Sequence, residues 1–236
     1  MNTTNQTSSE LSFTVNVVSF KMIKVEGGTF TMGVHPNQEN EDFRLLEDFE
    51  LVVEDERPAY SVTLSSYYIA ETEVTQALWR AVMGDNPSRF QDGDNYPVEQ
   101  VSYNDCKKFI EELNNLTQKH FRLPTEAEWK FAARGGNYSK DYIYAGSNNP
   151  DEVAWYEDNS DGHTHPVKQK MPNELGLYDM SGNLWEWCND WYGDYPSSPQ
   201  NDPQCPTSGA YRVLRGNSWA NELLPYFMQR RHEFQL

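Results

Sequence analysis

After Gly136 the chain runs for about 100 residues without helical periodicity, crowded instead with Gly, Pro, Asn, Asp, Trp and Tyr. Irregular chain of that length normally argues against a compact domain, because its backbone polar groups need partners and its loops need something to pack on. This stretch carries Trp155, Trp185, Trp187, Trp191 and Trp219. Indoles bury large areas and can form a core for loops, and bound metal ions often pin such backbones. The fold must therefore be one that tolerates long loops around a ring-rich centre.

Regular elements are expected in the first half. Phe13 to Phe20 and Lys21 to Val25 read as two strands, and Gly27-Gly28 supplies the turn between the second of these and Thr29 to Met32, an antiparallel opening. Residues 1 to 12 are too polar to dock and read as a disordered leader, so a single domain is expected over 13 to 236, with no internal repeat or splitting linker. From Asn37 to Arg57 the run of acids, ending in Glu54, Asp55 and Glu56, favours a solvated loop. Tyr60 to Leu64 and Tyr67 to Ile69 restore strand character. Three helices follow. Thr75 caps the first, with Leu78, Trp79 and Val82 on its stripe and Gly84 to end it. Ser102 caps the second, whose apolar face is Cys106, Phe109, Ile110, Leu113 and Leu116. Thr125-Glu-Ala-Glu128 is a capping box opening the third, which Gly135-Gly136 stops.

Nineteen Lys plus Arg against 36 Asp plus Glu give a net charge of −17, which repels phosphates and excludes nucleic acid as an expected partner. The apolar runs fall well short of the roughly 18 residues a membrane span needs, so no membrane association is expected. Met1 to Glu10 lacks the basic start and apolar stretch of a secretory signal. As written the chain reads as cytoplasmic, with a secreted or surface location only if a leader was removed. Cys106, Cys188 and Cys205 show no C-x-x-C spacing and read as reduced thiols, the first two as small buried hydrophobes and the last in a loop.

Seven separated motifs then point one way. They are Gly27-Gly-Thr-Phe-Thr-Met-Gly33, Glu73-Val-Thr75 with Trp79, Pro97-Val-Glu-Gln-Val101, and Phe121-Arg-Leu-Pro-Thr-Glu-Ala-Glu-Trp129. Ala132-Ala-Arg-Gly-Gly136, Asn173-Glu-Leu-Gly-Leu-Tyr-Asp-Met-Ser-Gly-Asn-Leu-Trp-Glu-Trp187 and Arg212-Val-Leu-Arg-Gly-Asn-Ser-Trp219 complete the set. In this order they resemble the formylglycine-generating enzyme, or sulfatase-modifying factor, family from about residue 20 to 219. The resemblance implies an α+β fold, a variant of the C-type lectin fold with two or three helices, short antiparallel strands and much irregular chain. Family members close on a terminal strand after further Arg-rich turns, whereas this chain ends at Arg230-Arg-His-Glu-Phe-Gln-Leu236, so that strand is expected to be missing and a sheet edge left open.

The family's oxidase uses molecular oxygen to convert a sulfatase cysteine to formylglycine through two copper-binding cysteines. By motif position these fall on Asn221 and Tyr226, an amide and a phenol. Copper(I) needs soft sulfur donors, so no copper is expected and no catalytic residue is assigned. The resemblance also implies a structural calcium loop, with the carboxylates of Asp179 and Glu186 and the carbonyls of Gly182 and Leu184 as ligands. An i, i+3, i+5, i+7 set of oxygens on a tight Ser-Gly turn can converge on one hard cation. The simpler reading makes Asp179 a turn residue and Glu186 half of a salt bridge. A second family calcium loop fits poorly, since Val153-Ala-Trp155 and Asn159 stand where oxygen ligands belong and only Asp161 remains.

Other clusters read as structure. His163-Thr-His165 is more readily a wet loop than a metal pair, and capping accounts for Glu128 and solvent for Glu126. Trp185 to Trp191 reads as core packing before an aromatic ligand slot. The function expected is a non-catalytic module on a lectin-like scaffold, gripping a protein or glycan through Trp219, Asn221, Glu222, Tyr226, Phe227, Gln229 and Arg231. In this it resembles the variable proteins of diversity-generating retroelements. The alternative is an oxidase of the formylglycine-generating type.

Overall fold

The computed structural model describes residues 9–33, 56–204, 208–222 and 232–235. The chain is α+β, with nine short strands and four helices among those residues. In order they are β1 (Glu10–Val15), β2 (Val18–Val25), β3 (Gly28–Met32), β4 (Tyr60–Leu64), β5 (Tyr67–Ala70), α1 (Gln76–Met83), α2 (Tyr103–Thr117), α3 (Glu126–Ala133), α4 (Pro150–Val153), β6 (Glu186–Trp191), β7 (Gln200–Asn201), β8 (Tyr211–Arg215) and β9 (His232–Gln235). They form three sheets, ordered β1-β2-β5, β3-β4-β7 and β6-β8-β9.

The opening departs from the expected pattern in three ways. Residues 10 to 12 belong to β1 and not to a leader. Phe13 to Phe20 is a hairpin and not one strand: Asn16 and Val17 both take positive φ, so Phe13 pairs with Phe20 across the turn and their rings stack 5.4 Å apart. A valine in that conformation is rare, which is why its β propensity hid the reversal. The turn is fastened to α1 by Asn16 Nδ2, which donates to Ala81 O at 2.8 Å. Finally, Gly27-Gly28 is a crossing and not a hairpin turn, since β2 pairs with β1 and β5 while β3 pairs with β4. Side chains at these glycines would strike Leu64 O and the Asn137 amide, so the requirement is close approach.

The helices follow their caps. Thr75 and Ser102 accept from Leu78 N and Asp105 N, and Asp105 completes a second capping box that the apolar pattern did not reveal. The Thr125–Glu128 box opens α3 as expected. The single-turn α4, capped by Asn149, is too short for periodicity to register. The terminal strand expected to be missing is also corrected: β9 pairs antiparallel with β8, Leu214 opposite His232 and Tyr211 opposite Gln235, so β8 has a partner on each side.

Two apolar cores result. The larger surrounds Trp129, with Val25, Val62, Phe131, Leu177, Cys188 and Val213 against it. The smaller lies between α1, α2 and the β1-β2-β5 sheet and includes Val15, Leu78, Trp79, Val98, Phe109 and Leu113. Beside the larger core sits a buried ionic group. Arg215 donates to Glu56, Glu126 and the Tyr195 hydroxyl, and Lys130 donates to Glu56. Two expectations fall here: Glu126 is buried in this network and not solvated, and Glu56, the last acid of the wet-looking run, is 1% exposed. Two cations and two anions balance, which is how charge survives inside. Removing one partner strands the others, so Glu126→Ala is expected to cost about 3 kcal/mol, against about 1 kcal/mol for Thr125→Ala, which removes only a cap. Urea unfolding of the two variants checks the order.

Candidate functional site

The segment from Asp179 to Asn183 is buried throughout, unlike a surface turn. Asp179, Gly182 and Asn183 have φ of 58°, 81° and 61°, three left-handed residues in five, which curl the backbone tightly. Side-chain room at Gly182 is taken by Trp155 O. Asn183 is the hub. Its N donates to Trp155 O at 2.7 Å, its Nδ2 to Glu73 Oε2 at 2.7 Å, and its Oδ1 accepts from His165 N at 3.0 Å. Glu73 also accepts from Leu184 N at 3.0 Å. The Glu73-Val-Thr75 motif therefore does more than start a helix, since its acid clamps a loop 110 positions away. Neither Glu73 nor Asn183 was singled out by sequence; an acid ahead of a helix cap gives no local sign of a distant partner.

Of the four expected calcium ligands, two border Gly216. The place a Gly216 side chain would take lies 3.2 Å from Leu184 O and 3.9 Å from Glu186 Oε1, beside a residue whose φ of 101° already requires glycine. Asp179 is near enough for its charge to raise Glu186, although one of its own oxygens accepts from Lys168 N at 2.9 Å. Gly182 N is held by Gly216 O at 2.7 Å. Desolvation pushes Asp179 up to about 6 and Glu186 up to about 7, and burial first, then the charges of Asp179 and Glu186, push Glu73 well above the carboxylate range. The three acids thus lie near one another in a poorly solvated region that favours their neutral forms. Among the described residues no three His, Cys, Asp or Glu side chains gather as a metal cluster, so a cation here would lean on two carboxylates and backbone carbonyls. At the second loop the Asn159 side chain is consumed by Tyr156 N, Ala154 O and Asp151.

This loop positions the segment that follows β8. Trp219 N donates to Asn183 O at 3.0 Å, Ser160 Oγ to Trp219 O at 2.9 Å, and Glu157 N to Asn221 O at 3.1 Å. Asn217 and Ser218 are buried, while Trp219 is half-buried and Asn221 and Glu222 are exposed. The Asn221 Oδ1 accepts from both Ser218 Oγ at 2.6 Å and Trp185 Nε1 at 3.1 Å. An amide oxygen therefore stands between a hydroxyl and an indole at the surface. Trp187 and Trp191 turn elsewhere, the former to Val101 O and Tyr103, the latter under the Arg212 guanidinium. Tyr226, Phe227, Gln229 and Arg231 lie outside the described residues.

His163 and His165 are not a wet loop. Their rings lie 4.7 Å apart, His165 stacks on Trp155 at 3.7 Å, and each ring holds a carbonyl, Thr164 O and Ser160 O. Phe90 lies 6.2 Å from His163 and 5.4 Å from Trp219, continuing the aromatic run to the surface segment.

The description "sulfatase-modifying factor enzyme 1-like domain" matches residues 10–236. The chain belongs to that family. It is 36% identical to the "chaperone protein LppX" of Paenibacillus barcinonensis over 69% of this chain and 72% of the relative. To the formylglycine-generating enzyme of Streptomyces coelicolor it is 40% identical, over 53% of this chain but only 42% of that enzyme. Among solved structures, Treponema denticola variable protein 1 superposes with a TM-score of 0.82 at 32% identity, covering 97% of this chain and 94% of that one. PvdO from Pseudomonas aeruginosa gives 0.72 at 26% identity, over 91% and 88%. The family fold therefore holds over nearly the whole chain.

His165 is held below the ordinary imidazole range chiefly by desolvation, with the neighbouring His163 adding to it. A base whose folded value is depressed binds its proton less readily than in the unfolded chain. Its contribution is complete above about pH 6.5 and is lost as pH falls through and below that value. Thermal unfolding of the wild type and His165→Phe across pH 5 to 8 is expected to show the variant gaining on the wild type only below that point.

Proposed function

We propose that this chain is a non-catalytic binding module, gripping a protein or glycan ligand through the surface that begins at Trp219. The observation that carries the reading is Asn221: an amide oxygen bonded to Ser218 and Trp185 presents hydrogen-bonding groups and an indole edge at the surface and has no sulfur to hold copper. The likeness to a variable protein over nearly its full length supports it. A lectin-like scaffold suits the role, because exposed residues mounted on a rigid frame can vary without loss of fold. Kinship with formylglycine-generating enzymes favours an oxidase instead; against that, the amide and Tyr226 at the thiolate positions are poor donors for copper(I).

A structural calcium ion belongs to the same reading. Asp179, Glu186 and the carbonyls of Gly182 and Leu184 would hold it, with Glu73 keeping Leu184 in place. The ion would relieve the repulsion among the three acids and so order the backbone under Trp219. A net charge of −17 weighs against nucleic acid as the partner, and no helix of the described residues is long and apolar enough to cross a membrane.

Two measurements test these points. Comparison of sister genes is expected to find substitutions clustered after Trp219, and even drift along the chain would remove the variable-surface reading. Calorimetry on chelator-treated protein is expected to find one calcium per chain with a rise in melting temperature. Glu73→Gln should weaken that uptake by about 10- to 100-fold, as loss of an outer partner usually does. No uptake by the wild type would remove the calcium site.

A further inference from the structure

The two cores are closed to different degrees. In the larger, 21 buried apolar residues are joined by 6 partly buried ones; in the smaller, 6 buried residues are joined by 9 that remain partly open. The open side faces a cavity of about 560 Å³. Its walls include the buried Leu78, Trp79, Val98, Phe109 and Leu113, so the hollow reaches into the smaller core. The partly open residues among its walls are Val18, Phe20, Val74, Val101, Ile110 and Phe121. Protein interiors pack to crystal density, and an apolar void of about 150 Å³ already takes up a benzene-sized molecule. This one is nearly four times as large and falls within the volume range of small-molecule sites.

The charged groups of the lining decide what could enter. Lys21, Arg122 and Lys168 each already carry a carboxylate partner, namely Glu10, Glu128 and Glu71. Buried Glu73 and partly buried Glu186 add acids at the Leu184 end. An anionic ligand such as a fatty acid would meet negative charge and no unengaged cation among the described lining residues. The aromatic walls, with Trp79 and Phe109 stacked face to face at 5.0 Å, suit flat rings. We propose that this hollow core is a binding site for a neutral, apolar small molecule of two or three rings, which completes the packing between α1, α2 and the β1-β2-β5 sheet. The site lies under the module and not at its Trp219 surface, so it stands whether or not that surface binds a partner.

The probe is N-phenyl-1-naphthylamine, neutral, three-ringed and fluorescent only in apolar surroundings, titrated into the full chain with calcium present. Saturable enhancement at one probe per chain is expected, weakened at least 10-fold by Ile110→Trp, which fills the cavity, and unchanged by Tyr138→Ala, at an exposed residue that is not part of the cavity wall. Should Ile110→Trp not fold, Cys106 decides the matter, because it lines the cavity while Cys188 is fully buried. In a Cys205→Ser chain, saturating probe is expected to slow modification of Cys106 by methyl methanethiosulfonate at least 10-fold. A natively folded wild type without saturable enhancement, equal affinity in a folded Ile110→Trp chain, or an unprotected Cys106 would each overturn the site.

Discussion

One side chain joins the parts of this molecule that sequence distance keeps apart. Asn183, wholly buried and in a left-handed conformation, bonds through its amide to Glu73 and His165 and through its backbone to Trp155 and Trp219. These partners come from the approach to α1, from two loops and from the segment after β8. A buried amide is costly unless every group is satisfied, and satisfied groups impose a single geometry. Long irregular chain is tolerable here because its polar backbone is paired around this residue and its indoles pack beside it.

Helices were legible because their caps and apolar faces are local. Thr75, Ser102 and Thr125 each mark a start within a few residues of the stripe they announce, and all three act as caps in the structure. Strands were legible as material but not as pairing. The Phe13 to Phe20 run contains a hairpin because Val17 takes a conformation that propensity forbids, and Gly27-Gly28 joins two sheets because of what passes close to it. Neither fact is written in neighbouring residues. The same limit hid Glu56 and Glu126, whose burial depends on Arg215, 159 and 89 positions away.

The site was legible in part. Motif order led to the right family and to the loop that Glu73 and Asn183 hold. Glu73 and Asn183, which hold that loop, escaped notice because their roles exist only after folding. The histidine pair reads from sequence as solvated loop, whereas stacking on Trp155 makes it part of the support beneath Trp219. The outer half of the expected contact surface, from Tyr226 to Arg231, lies outside the described residues.

The proposed function rests on the oxygen and nitrogen donors of Asn221 and Tyr226, the two positions that motif order matches to the copper-binding cysteines of the formylglycine-generating enzymes. Asn221 is fixed by Ser218 and Trp185, so the surface presents a held amide there. The most direct measurement is oxygen consumption by the copper-loaded full chain with a cysteine-containing sulfatase peptide. Uptake equal to that of copper and peptide alone is the predicted result; peptide-dependent uptake accompanied by aldehyde formation would contradict the account.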